Sequence, residues 1–373
     1  MKLKIASLSD IHLGHSNTST SSIIRNLDNN FIAHPEFKDL DIIFIAGDLF
    51  DRLLAHDDPN RPEIYLWFVR LCEACAKHDI MVRILEGTPS HDWKQSEILP
   101  TIHLISKLPI NLVYVKTLSV EYIETIDSWV LYIPDEWRTT SEETLNEARE
   151  LLKAKGLSKV DFCVMHGCFE YQLPKAARSV STHSEEAYLD MVKHLIFIGH
   201  HHTHTRYERI VAQGSFDRLR HGEEEAKGFV IANVDTEANT REVYFIENKD
   251  ARVYKTIDCT YLSAESIIEK LKTEILSLPN NSAVRIVAEK NNEIFSDMSP
   301  LVRLAPTIIW STQKLKEQDD EDLVDAVTAA DQVYKAVSVT ADNIVSLMMD
   351  RPKFSQATLT IQENAIRHLR DLL

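Results

Sequence analysis

Within residues 1–202, five short apolar stretches break off at an aspartate or a histidine: SDIHLGH, AGDLFDR, GTPSHD, VMHG and IGHHH. No other feature narrows the fold as much. The runs leading into them (KIASLSD, DIIFIAGD, IMVRILEG, VDFCVMHG and HLIFIGH) are apolar with little alternation, as strands buried on both faces are. Helical patterns stand between them, PEIYLWFVRLCEACAKH and SEETLNEARELLKAK. Strands alternating with helices predict an α/β layered fold around a buried sheet. NLVYVK, VEYIETI and WVLYIPD add extended segments, and YERIVAQGS, KGFVIANVD and REVYFIEN close a first domain at residues 1–251. In open α/β folds ligands bind beyond the carboxyl ends of the strands. The five polar clusters therefore converge on one edge.

A second unit follows over residues 252–315, with VYKTIDC, AVRIVAE and PTIIWST as strands. Ser263 caps a helix that carries Ile267, Ile268, Leu271, Ile275 and Leu278 on one face. This reads as a small α+β domain. Residues 316–339 begin with the acidic run KEQDDEDLVD and read as a linker. Residues 340–373 carry two short amphipathic patterns, with Ile344, Leu347 and Met348 on one and Leu359, Ile366, Leu369 and Leu373 on the other. They are too small for a core of their own, so they pack back on the body or dock on a partner.

The chain has 373 residues, enough for two or three domains, and a net charge of −16. That charge excludes general electrostatic affinity for nucleic acid, so such a role needs local basic patches, bound cations or a basic partner. The cysteines Cys72, Cys75, Cys163, Cys168 and Cys259 are odd in number and lack the spacing of a disulfide scaffold, which suggests a reducing compartment. Cys72 and Cys75 form a C-x-x-C, but they share a helical stripe with Ile64, Trp67, Phe68 and Leu71, so core thiols are expected rather than a zinc or redox site. The N-terminus lacks the apolar run of a signal peptide and no stretch is as long as a membrane span, so a cytoplasmic protein without membrane contact is expected.

Each cluster taken singly has a plain structural reading: a turn aspartate, a core histidine, a solvated His-rich loop. Together they have the residue types of a metal site. Asp10 and His12 are two residues apart, as are His200 and His202, which places each pair on one side of a strand end. Imidazole and carboxylate together suit manganese, iron or zinc. Asp48, after the glycine that ends the second strand, is the natural bridge between two ions.

These motifs, in this order, resemble the signature of calcineurin-like metallophosphoesterases. SDIHLGH, AGDLFDR and the second small domain look like the SbcD nuclease family, with its meiotic-recombination-eleven relatives and phage recombination endonuclease subunits. The resemblance is strong over residues 1–250 and holds in outline over 252–315. It implies a four-layer metallophosphoesterase sandwich with a small capping domain and C-terminal helices. It implies two Mn2+ ions, with Mg2+ as an alternative: one held by Asp10, His12, Asp48 and His202, the other by Asp48, the residue at position 90, His166 and His200. His91 would protonate the leaving oxygen, and Asp51 would orient His91. The implied activity is DNA exonuclease and endonuclease cleavage in repair, recombination and replication. The implied partners are DNA, an SbcC-type coiled-coil ATPase docked on residues 340–373, and a second copy of the chain. For a phage-encoded member the compartment is the host cytoplasm.

One position departs from the family. Asparagine stands directly before the histidine there, whereas here it is Ser90, in a loop two residues longer. A hydroxyl is a shorter neutral donor, so the expectation is an active site whose second metal position binds more loosely. Arg52, Lys94, Arg138, Lys175, Arg178 and Arg206 are candidate phosphate contacts. Two alternatives stay open: a metallophosphoesterase for small phosphoesters, and a non-catalytic structural subunit of a DNA-end-binding complex.

Overall fold

A computed structural model describes residues 1–135, 138–179 and 181–315, all within one compact unit. The acidic linker and the partner-binding helices assigned to residues 316–339 and 340–373 lie outside the described residues.

The first sheet is built on four parallel strands, β1 (Lys2–Leu8), β2 (Ile42–Ala46), β3 (Met81–Leu85) and β4 (Leu112–Val115). The second is built on β5 (Ser119–Ile123), β6 (Ser128–Ile133), β7 (Val160–Gly167), β8 (Val192–His200), β9 (Thr205–Tyr207) and β10 (Ile210–Ala212). In it β6, β7, β8 and β10 run parallel, and β5 and β9 pair antiparallel at the two edges. The segment YERIVAQGS is thus two strands, not one. Strands β11 (Gly228–Asp235) and β12 (Thr240–Glu247) then return to the first sheet, β11 pairing antiparallel with β1.

Alternation along the strands sorts the side chains into layers. Ile42 and Phe44 face the second sheet and meet Phe162, Val164, Leu195 and Phe197 in the central core. Their neighbours Ile43 and Ile45 face outward, onto α1 (Thr20–Asn26), α2 (Arg61–Lys77) and α3 (Ile98–Ser106). On the far side Cys163, Met165, Ile196 and Ile198 pack under α4 (Ser141–Ala154) and α5 (Glu185–Met191). The architecture is helix, sheet, sheet, helix: the four-layer α/β sandwich. Helices α1, α3 and α5 are not evident in the sequence, because their apolar stripes are short; α3 buries one residue, Leu99.

The small unit holds β13 (Tyr254–Asp258), α6 (Ala264–Glu274), β14 (Ala283–Ala288), α7 (Ser299–Leu304) and β15 (Ile309–Lys314). Ser263 caps α6 by accepting from Ser266 N at 3.3 Å, and Ile267 and Leu271 are buried in the unit's own core. The three strands are mutually parallel, so α6 and α7 serve as crossovers and the unit is α/β rather than α+β.

All five cysteines are buried and unpaired. Burial pushes the Cys72 thiol up to about 12 and raises Cys75 further. Native protein at neutral pH is expected to react with a thiol reagent only as fast as it unfolds; rapid labelling of the C-x-x-C in the folded state would contradict the core reading.

Candidate metal centre

Parallel strands of both sheets end at one edge, and the chain there is strained. Asp10, His12, Asp48 and His200 have φ of 49°, 55°, 52° and 99°, in the left-handed region that side chains other than glycine seldom adopt. Backbone bonds hold the first two loops together: Asp10 N donates to Gly47 O at 3.1 Å, Ile11 N to Asp48 O at 2.9 Å and Leu13 N to Leu49 O at 2.9 Å. The Asp92 carboxylate ties in the third loop, accepting from Gly87 N at 2.9 Å and Phe50 N at 3.0 Å. Burial and the nearby Asp48 charge raise Asp92 well above the usual carboxylate range, against the pull of the Phe50 N–H.

Three groups of ligating atoms lie within 4.8 Å of one another: Asp10, His12 and His202; His12, Asp48 and His91; and Asp48, His166 and His200. Asp48 joins them. Its Oδ2 faces His12 Nε2 at 4.0 Å, and its Oδ1 faces His166 Nε2 at 3.3 Å. On the first side His12 Nε2 and His202 Nε2 stand 3.1 Å apart, which two bare lone pairs do not tolerate without a proton or a cation between them. On the second side burial opposes charge on His166, but Asp48 outweighs it and lifts the imidazole to about 10. Asp48 is correspondingly depressed: burial pushes it up, and His166, then His12 and His91, overcome that. Burial, the largest influence on His200, carries it down to about 4. This cluster of His and Asp side chains could hold a metal ion.

Outer partners aim the imidazoles. His166 Nδ1 lies 2.8 Å from Ala46 O, and His202 Nδ1 lies 2.9 Å from Glu223 Oε1, leaving each Nε2 to face inward. Glu223 is held at about 2; burial pushes it up, but the bond to His202 and the charges of His202 and Lys227 prevail. The next residue, Glu224, accepts from Thr256 N on β13 at 2.8 Å, so adjacent residues serve the metal centre and the small sheet. Glu223 gives no signal in the sequence, where HGEEEAK reads as solvated surface.

His91 Nδ1 bonds to the main-chain carbonyl of Asp51. The Asp51 carboxylate points elsewhere, to His12 Nδ1 at 3.4 Å and His15 Nε2 at 4.0 Å. Asp51 therefore meets His91 through its backbone, not through the carboxylate expected to orient it.

Ser90 is exposed on the loop. Thr88, directly after Gly87, is the residue that meets the second group: its Oγ1 is 3.2 Å from Asp48 Oδ2, 3.2 Å from His166 Nε2 and 3.3 Å from His200 Nδ1. Counting back from the histidine selects Ser90; the strand and its glycine select Thr88. The two additional residues form a turn after Thr88, whose carbonyl accepts from His91 N at 2.8 Å and Asp92 N at 2.9 Å. A further carboxyl missed from sequence is Asp135, beyond the end of β6 and within electrostatic reach of His166, Asp48 and His91. Burial raises it to about 6.

Of the basic candidates, Arg52 pairs with Asp58 at 2.8 Å, Arg138 with Glu147 at 2.7 Å and Arg178 with Glu170 at 3.2 Å, and Arg206 donates to Val243 O at 3.2 Å. Lys94 and Lys175 are exposed. Among the described residues no helix is long and apolar enough to cross a membrane.

No protein family and no curated protein sequence matches the chain. Among solved structures, the crystal structure of TT1561 from Thermus thermophilus shares 11% identity at a TM-score of 0.40, covering 66% of this chain and 100% of that one. A second crystal structure shares 12% identity at a TM-score of 0.39, again over 66% of this chain and 100% of the other. The functional reading accordingly rests on the site's own geometry.

A Cβ on Gly87 would stand 2.1 Å from Asp48 N and 2.4 Å from Asp48 Oδ1. Gly87→Ala is therefore expected to weaken any divalent-metal uptake at the cluster, measured by calorimetric titration. Ser90→Ala is expected to leave uptake unchanged and stability within about 0.5 kcal/mol; a large loss on Ser90→Ala would restore Ser90 to the site.

Proposed function

We propose that the chain is a manganese-dependent nuclease that hydrolyses DNA phosphodiesters. The observation that carries this reading is Asp48, facing the two histidine groups with opposite oxygens while His91 stands beside it. Asp10, His12, Asp48 and His202 would hold one ion, and Asp48, His166 and His200 the other, with Thr88 at the fourth position in place of Ser90. When bound, such a pair of ions polarises a phosphate and lowers the pKa of an attacking water. The protein's own part is to hold the donors rigid through strained loops and to place a proton. With Nδ1 fixed on the Asp51 carbonyl, His91 presents Nε2 to the leaving oxygen as the acid.

The exposed Lys94 and Lys175 are offered as phosphate contacts. The arginines tied to Asp58, Glu147 and Glu170 contribute less, since each is already partnered. An SbcC-type ATPase docked on residues 340–373 would supply further DNA affinity to this acidic chain. Homodimerisation is assigned to α2 and α3, which expose Leu66, Leu104 and Ile105. Leu104→Glu is expected to turn a dimer into a monomer in sedimentation without disturbing manganese binding.

The deciding test incubates the chain with linear double-stranded DNA and manganese, beside magnesium, a panel of small phosphoesters, and a cognate ATPase with ATP. His91→Ala is expected to keep its metal and lose roughly 10²-fold or more in turnover. Cleavage of small phosphoesters without any of DNA would favour the small-substrate alternative, and loss of metal in His91→Ala would contradict the assigned proton donor.

A further inference from the structure

The edge of the second sheet opposite the metal centre carries a cavity of about 470 Å³. It lies at the amino ends of β7 and β8, where Lys159, Asp161, Lys193 and His194 line it, joined by Asp127 and Arg209 from neighbouring turns. About 20 Å of extended strand separates Val160, where β7 begins, from His166 in the metal centre. The proposed phosphodiester chemistry makes no use of this edge.

The charges of this cavity do not balance. Three cations line it against two carboxylates, and both carboxylates are engaged. Asp161 accepts from Trp129 N at 2.8 Å and from Lys193 Nζ at 3.0 Å, and Asp127 accepts from the Tyr122 hydroxyl. Among the described residues neither Lys159 nor Arg209 has a carboxylate partner; Arg209 donates through Nη2 to the main-chain oxygen of Leu189. A fourth cation, Arg241, is within electrostatic reach of Arg209 and His194. Scattered surface cations are ordinarily just solvated. Two polar atoms here are not: His194 Nδ1 and Arg209 Nε are buried without a hydrogen-bond partner, and His194 as a whole is 3% exposed. In a chain of net charge −16, unpaired cations that converge on one cavity run against the composition.

We propose that this cavity binds a phosphate group, free or as the terminal monoester of a nucleotide, with Lys159, Lys193 and Arg209 around its oxygens. A phosphate monoester brings a charge of about −1.5 to −2 and three strong acceptor oxygens, which match converging ammonium and guanidinium donors. Arg209 has N–H groups to spare after its bond to Leu189. Burial lowers the His194 imidazole from its ordinary value, so at neutral pH the ring is uncharged and offers a single N–H. The site needs no metal ion, because the cations that define it are side chains of the protein.

The test is calorimetric titration of the full chain, stripped of metal and then freed of chelator, with inorganic phosphate and separately with deoxyadenosine 5′-monophosphate. Wild-type protein is expected to bind one phosphate with a dissociation constant below about 1 mM. Lys159 is exposed, so Lys159→Ala should keep the wild-type melting temperature and weaken phosphate binding by about 10-fold. Arg209→Ala should weaken it at least as much, but it also removes the bond to Leu189, so Lys159→Ala carries the test if that variant fails to fold. Manganese uptake should be the same in Lys159→Ala as in wild type. Tighter binding of the nucleotide than of phosphate would identify a nucleotide monoester as the occupant, and equal binding would identify the free ion; both support the assignment. No saturable phosphate uptake by the metal-free protein, or uptake unaltered in Lys159→Ala, overturns it.

Discussion

The constraint on which this structure turns is the burial of one carboxylate between two sets of imidazoles. Asp48 is 2% exposed at the seam where both sheets end. An isolated ionised carboxylate so placed would cost many kcal/mol. Here it is compensated on every side: His166 and His12 face its oxygens, and Thr88 N donates to Oδ1 at 2.6 Å. Gly87 has no side chain because nothing larger fits against Asp48, and Asp92 is buried because its oxygens anchor the loop that carries Gly87. The surrounding architecture can be understood as what is needed to bring such a residue and its partners to one point.

The layered α/β fold and the main donor residues are legible in the sequence because both follow from periodicity. Buried strands announce themselves as apolar runs, and the residues that end parallel strands meet at one edge wherever the sheets close. Asp10, His12, Asp48, His91, His166, His200 and His202 all come together on that basis. The failures share a cause as well. Distance from His91 points to Ser90, but a loop insertion is absorbed where the backbone can turn, and the rigid reference is the strand behind Gly87. Glu223 reaches the site through a loop whose path no local pattern encodes. Asp51 sits where expected, yet meets His91 through a main-chain atom, a distinction that side-chain identity does not carry. The small unit's parallel strands are likewise hidden, since β13, β14 and β15 look the same in sequence whichever way they run.

The charge of the chain acquires a local meaning at this edge. A net charge of −16 opposes approach of a polyanion. Three of the candidate arginines, Arg52, Arg138 and Arg178, are already engaged with carboxylates of their own. A cation bound at the centre would make the local potential less negative, so under the proposed function metal loading would also ease the approach of an anionic substrate.

The pair Glu223 and Glu224 has a mechanical consequence. One carboxylate steers His202; its neighbour one peptide away grips the outer edge of β13 through Thr256. The two bonds are one peptide apart, and they stand beside other links between the small unit and the first domain, at Thr18–Tyr254 and His221–Ser311. The small sheet and His202 therefore share one support, a loop in which neighbouring carboxylates serve each.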